Sequence, residues 1–107
     1  MRIILLTFII STLSYGATYR PEKGLYTCMK GNEDSICDQM LKPFFSGEQL
    51  TAISVEYVGE CGSMGPYTYY CENDVCEDAG LRFQFKTTKS YSWENKQYNF
   101  KCEFEKK

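Results

Sequence analysis

Six cysteines and no histidine set the chemistry open to this chain of 107 residues. Imidazole is the side chain that titrates near neutral pH. Without it, Ser-His-Asp and Cys-His catalysis, His-based phosphodiester cleavage and nearly all catalytic zinc sites are excluded. Paired carboxylates remain, and such pairs hydrolyse glycosides. That reaction needs a cleft, for which so small a domain has little surface to spare, so no enzymatic activity is expected. Structural zinc would want paired short cysteine spacings, usually with histidine, and here only Cys71 and Cys76 lie close together. An even number of cysteines behind a secretory leader reads instead as a disulfide framework. Cys28, Cys37, Cys61, Cys71, Cys76 and Cys102 allow fifteen pairings, and spacing does not choose among them.

Two further clusters bear on binding. Glu72, Asn73, Asp74, Glu77 and Asp78 crowd around the Cys71–Cys76 segment. Calcium takes such oxygens, but the EF-hand spacing is absent and solvated turns have the same composition. No metal and no cofactor is therefore expected. Lys86, Lys89, Lys96 and Lys101 surround Tyr91, Trp93 and Tyr98. Basic side chains interleaved with aromatics suit stacked single-stranded bases. Trp93 reads as lying in a loop, where a large aromatic either folds back to cover the sheet edge or makes a partner contact. The expected contact surface is Lys86, Lys89, Tyr91, Trp93, Lys96 and Lys101.

The elements that must hold these residues begin after a leader. Met1-Arg2, the apolar run Ile3 to Ile10 and the small residues Ser14 and Gly16 have the order of a secretory signal peptide. The expected cut follows Gly16, which leaves one domain over residues 17–107. The apolar run is shorter than the roughly 20 residues a membrane span needs, and no membrane anchor is expected. The chain carries a net charge of −2, and loss of Arg2 with the leader takes it to −3. That balance gives no general attraction to nucleic acid or anionic membrane.

Within the domain, Ala17 to Lys23 is a polar lead-in and Leu25 to Met29 a short extended segment. Ile36, Cys37, Met40, Leu41 and Phe44 fall on one face at helical spacing, with Asn32 or Asp34 as cap and Pro43 as limit. Elsewhere the period is two: Ile53, Val55, Tyr57; Leu81, Phe83, Phe85; and Tyr98, Phe100, Cys102, Phe104. Tyr67 to Cys71 is a weaker strand, while Gly59 to Pro66 and Thr87 to Lys96 read as loops. The expected fold class is α+β: one short helix packed on a four- to five-stranded antiparallel sheet, stapled by disulfides. Segments 81–87 and 97–105 should form a hairpin with Phe83 opposite Cys102 and Arg82 opposite Glu103, the register that sets opposite charges against each other.

Tyr26-Thr27-Cys28 soon after the leader, with Cys102 near the C-terminus, resembles the Y-x-C secreted effector candidates of powdery mildews and related plant-pathogenic fungi. The resemblance implies a ribonuclease-like scaffold, with a helix against an antiparallel sheet and Cys28–Cys102 tying the ends. It also implies a virulence role without catalysis, in which a monomer contacts a host protein or RNA outside the cell of origin or inside a host cell. Cys71–Cys76 and Cys37–Cys61 are favoured for the remaining cysteines. The motif does not explain those four, which leaves room for another small secreted fold such as a killer-toxin-like α/β sandwich. Two other functions compete: a secreted protease inhibitor presenting the 61–71 loop (Gly62-Ser63-Met64-Gly65-Pro66-Tyr67), and a secreted toxin.

Overall fold

The computed structural model describes residues 19–107. The expected leader, residues 1–16, lies outside the described residues. Eight strands follow in order: β1 Gly24–Gly31, β2 Asp38–Ser46, β3 Gln49–Val58, β4 Met64–Glu72, β5 Val75–Asp78, β6 Leu81–Thr87, β7 Ser90–Asn95 and β8 Phe100–Lys106. Each pairs antiparallel with the next, and β8 returns to β1, so the sheet closes into an up-and-down barrel. Closure removes the free edges that an open sheet would expose.

This overturns the α+β expectation. Among the described residues there is no α-helix, only a single 3-10 turn at Gly59–Cys61, and the helix-on-sheet architecture implied by the effector resemblance is absent. The segment read as a helix is the strand β2. Its inward positions are Gln39 and Leu41, both fully buried, followed by Pro43 and Phe45, half-buried. Met40 and Phe44 point outward, 37% and 42% exposed. A polar residue inside and two apolar residues outside hid the period of two and mimicked an i, i+4 stripe. Pro43 is tolerated because β1 pairs only with Gln39 to Leu41. Beyond that stretch a missing N–H costs no ladder bond on the β1 side.

A second correction concerns residues 88–96. They are not a loop but mostly strand β7, with Tyr91 and Trp93 inward and Ser90, Ser92 and Glu94 alternating with them. The β6–β8 hairpin therefore does not form. Arg82 pairs with Glu94 on β7, and Glu94 in turn with Lys101 on β8. Opposite charges do face each other, but through an intervening strand. Short connections made that strand hard to see. Asn73-Asp74, Ala79-Gly80 and Thr88-Lys89 each join two strands with two residues. Asn73, Asp74, Ala79 and Gly80 all take positive φ, the geometry of the tight hairpin turns that match strand twist.

The disulfides form as Cys28–Cys102, Cys37–Cys61 and Cys71–Cys76, with Cα separations of 5.7, 5.9 and 3.9 Å. The first ties β1 to β8 at the barrel seam. The third bridges a directly opposed pair on β4 and β5.

Aromatic rings fill the barrel. Tyr91 stacks on Phe104 with centroids 5.3 Å apart and also meets Tyr26 at 5.0 Å, Phe85 at 5.3 Å and Phe83 at 5.9 Å. Such pairs add to the burial of large apolar area. The polar lead-in proves to be structural. Pro21 is buried, and residues 19–22 cross one end of the barrel as a strap. The Tyr19 N–H donates to Asp74 Oδ1 at 3.0 Å, and the Glu22 N–H to the Thr88 carbonyl at 3.0 Å. Arg20 donates to the Gly47 carbonyl at 3.3 Å and lies 4.1 Å over the Phe45 ring. The strap is thus tied to the turns after β2, β4 and β6, closing the end where those strands finish.

Candidate ligand-binding site

Opposite the strap, the barrel is open. Here β1, β3, β5 and β7 end and their partners begin, and a cavity of about 410 Å3 enters between them. Its walls are mostly apolar: Ile36, Tyr57, Met64, Leu81, Trp93 and Phe100, with the Cys37–Cys61 bridge at the rim. The short β5 helps to open it, because β5 pairs only with Tyr70 to Glu72 of β4. Met64 near the start of β4 and Leu81 at the start of β6 both reach the cavity. Sites for small ligands commonly have about 300–1,000 Å3, apolar walls and a few placed polar groups.

The 32–37 segment runs along the rim and is held at both ends. Asn32 Nδ2 donates to the Asn99 carbonyl at 2.8 Å, and its Oδ1 accepts the Lys101 N–H at 2.7 Å. At the other end Cys37 is bonded to Cys61. Gly31 is needed beside this anchor, since a Cβ there would lie 2.2 Å from the Lys101 carbonyl oxygen. Among the described residues, Glu33 carries the only charge on the cavity lining. Its Oε1 accepts from the Ser35 N–H at 3.2 Å and from the Ser35 hydroxyl at 2.9 Å.

Polar tips meet below the mouth. Burial raises the Tyr57 hydroxyl pKa, partly offset by the neighbouring Tyr69 hydroxyl and Trp93 N–H. Gln39 sits directly across the ladder from Tyr57, and its Oε1 accepts from the Tyr91 hydroxyl. Among the described residues, Gln39 Nε2 is a buried donor without a hydrogen-bond partner, while the buried Trp93 Nε1 has only the neighbouring Tyr57 hydroxyl, outside strict hydrogen-bond geometry. Both residues are more than nine-tenths buried.

The expected contact surface is not assembled. Tyr91 and Trp93 are inside the barrel, 0% and 6% exposed. Lys86 and Lys101 stand on the outer wall, while Lys89 and Lys96 lie in the turns at either end of β7. Three of these lysines pair with carboxylates: Lys86 with Glu103 at 2.8 Å, Lys96 with Glu77 at 3.3 Å and Lys101 with Glu94 at 3.9 Å. A groove of about 720 Å3 runs over this wall, lined by both charge signs, among them Arg82, Lys86, Glu94 and Glu103. It is larger than the mouth, and most of its charged side chains are already paired with carboxylates or cations on the wall.

The acidic cluster around Cys71 and Cys76 is dispersed. Asp74 turns to the strap, and Glu77 pairs with Arg82 and Lys96. The Cys61–Cys71 segment is largely the strand β4, with Met64 and Tyr67 exposed. Sequence reasoning missed the mouth, because its lining comes from seven separate stretches of chain. The signal was present at Trp93, flanked by Ser92 and Tyr91 in an alternating run. No family model matches the chain, and neither a curated protein nor a solved structure is found to resemble it.

Proposed function

We propose that this is a non-catalytic binding protein of the secreted type, which takes a small, mainly apolar ligand into the open end of its barrel. One observation carries the reading: one end is closed by the strap, while the other opens into an apolar cavity of about 410 Å3. Eight-stranded barrels have an interior just wide enough to be filled by side chains or to hold one small ligand. Three disulfides suit an oxidising compartment. No helix among the described residues is long and apolar enough to cross a membrane. The outer wall bears Lys42, Glu77, Arg82, Lys86, Lys101 and Glu105, unlike the apolar belt of a lipid-facing barrel. An effector role remains consistent with this reading, with capture of a small molecule in place of contact through a basic surface.

The test is a titration of the full-length, oxidised protein with the neutral fluorophore N-phenyl-1-naphthylamine. Saturable enhancement is expected, with energy transfer from Trp93, the only tryptophan. Leu81→Glu, which places a charge at the mouth, should abolish it. Absence of saturable binding rejects the proposal.

The inhibitor reading keeps one supporting observation. Gly62 to Thr68 are all exposed, and the segment is stapled near both ends by Cys61 and Cys71. Inhibition of serine and cysteine proteases by the purified protein tests it, and full protease activity at stoichiometric excess rejects it.

A further inference from the structure

Tyr57, Trp93 and Phe100 give the cavity three aromatic rings, and among the described residues its one charge is the Glu33 carboxylate. Glu33 is half-buried at the rim, with its Oε1 held by Ser35. Glu33 and Phe100 follow Asn32 and Asn99, which are joined by a hydrogen bond of 2.8 Å. The carboxylate and the ring therefore belong to the same part of the rim. Among the described residues, no lysine or arginine lines the cavity. Aromatic rings attract cations through their quadrupole, most strongly where water is excluded.

The surroundings add charge of the same sign. A smaller hollow of about 170 Å3 shares Ser35, Ile36 and Cys37 with the cavity and brings Asp34, Asp38 and Glu60 to the same rim. Among the described residues, Glu33, Asp34, Asp38 and Glu60 form no ion pair, whereas Glu77, Glu94 and Glu103 on the outer wall all do. Two lysines near this end are directed elsewhere: Lys30 lines the groove on the outer wall, and Lys96 pairs with Glu77. An opening flanked by one sign of charge, with low-dielectric walls, concentrates ligands of the opposite sign. An anionic head group would meet repulsion at the rim and would lose its water without gaining a cation.

We propose that the open end of the barrel selects an organic ammonium ion with an apolar body. The body packs inward against Tyr57, Leu81 and Trp93, and the cationic head stays at the rim between the Phe100 ring and the Glu33 carboxylate. This rests on the open end being a ligand site, and it excludes free fatty-acid anions as preferred ligands.

A chain-matched series tests it: octyltrimethylammonium, octan-1-ol and octanoate, each titrated calorimetrically into the oxidised full-length protein at neutral pH and low salt. The cation should bind about tenfold tighter than the alcohol, the order of one desolvated cation–π contact, and octanoate should bind weakest. Glu33→Gln, which keeps an acceptor for Ser35, and Phe100→Leu, which keeps an apolar side chain, should each cut the cation's lead over the alcohol by at least half. Alcohol or octanoate binding as tightly as the cation overturns the proposal, and so does a lead that either variant leaves intact. If the naphthylamine fluorophore binds saturably and the cation has no lead, this inference falls while the cavity reading stands. If none of the three binds, and the fluorophore also fails, both readings fall.

Discussion

Trp93 shows how one residue changes meaning between sequence and structure. Read as a loop aromatic, it would be a removable anchor on the surface. Buried on β7, with its ring 6.3 Å from Phe104, it is part of the core. Trp93→Ala should cost about 3–5 kcal/mol, as truncation of a buried aromatic does, seen as a large fall in the urea midpoint. A midpoint unchanged within error would restore the surface assignment. The tyrosines make a separate prediction. Burial, with a smaller contribution from Glu22, pushes Tyr26 up to about 12. Burial likewise raises Tyr69 and Tyr91. The native state therefore holds these phenolic protons where the unfolded chain, near pH 10, has begun to release them. By linkage, stability is retained below about pH 10 and falls as pH rises through the native values. Urea unfolding from pH 8 to 11.5 should show a flat midpoint followed by a decline. A midpoint that rises above pH 10 would contradict the buried-hydroxyl interior.

Among the elements, the strap and the seam disulfide do the closing. The strap depends on Asp74, whose φ of 66° is the left-handed conformation that Asp and Asn tolerate best. Asp74→Ala removes the acceptor for the Tyr19 N–H and leaves alanine in that conformation. We expect a loss of about 1–2 kcal/mol, with Asp74→Asn milder because it keeps both the acceptor and the backbone preference. Equal losses from the two variants would mean that the hydrogen bond and turn geometry are not what secures the strap. At the seam, Cys28 and Cys102 enclose a loop with a sequence separation of 74. Replacing both with alanine should lower stability by about 4 kcal/mol in the chain-entropy model. Calorimetry showing a loss under about 1 kcal/mol would place the closure in the strand pairing itself.

At the scale of the whole molecule, the distribution of charge decides against a general nucleic-acid surface. Glu77, Arg82, Glu94 and Lys101 lie in one register around the outer wall, one per strand from β5 to β8. Each ion pair is worth little to stability, but Lys86, Lys96 and Lys101 each face a carboxylate that offsets the charge an RNA backbone would need. Binding of single-stranded RNA should be undetectable at about 150 mM salt, and the RNA should remain uncleaved, since no histidine is present for acid–base work. Saturable RNA affinity with a steep salt dependence would show that unpaired basic groups dominate after all.

The disulfide framework and the strands with clean alternation were legible from residues alone. Phe83 and Phe85, or Cys102 and Phe104, announce an inward face because their polar neighbours point the other way. The three cysteine pairings also agree with expectation, although spacing by itself left them open. Strand β2 was not legible, because Gln39 inside and Met40 and Phe44 outside reverse the usual polarity. Gln39 is tolerated there only because Tyr91, on the far side of the sheet order, donates to its amide oxygen. Strand β7 was obscured by serines on its outer face. The mouth was invisible for a deeper reason. Its lining residues are spread from Glu33 to Phe100, and they share a cavity only once β8 closes on β1. Alternation tells each strand which side is wet; closure of the sheet, a property of all eight strands together, decides what the dry side encloses.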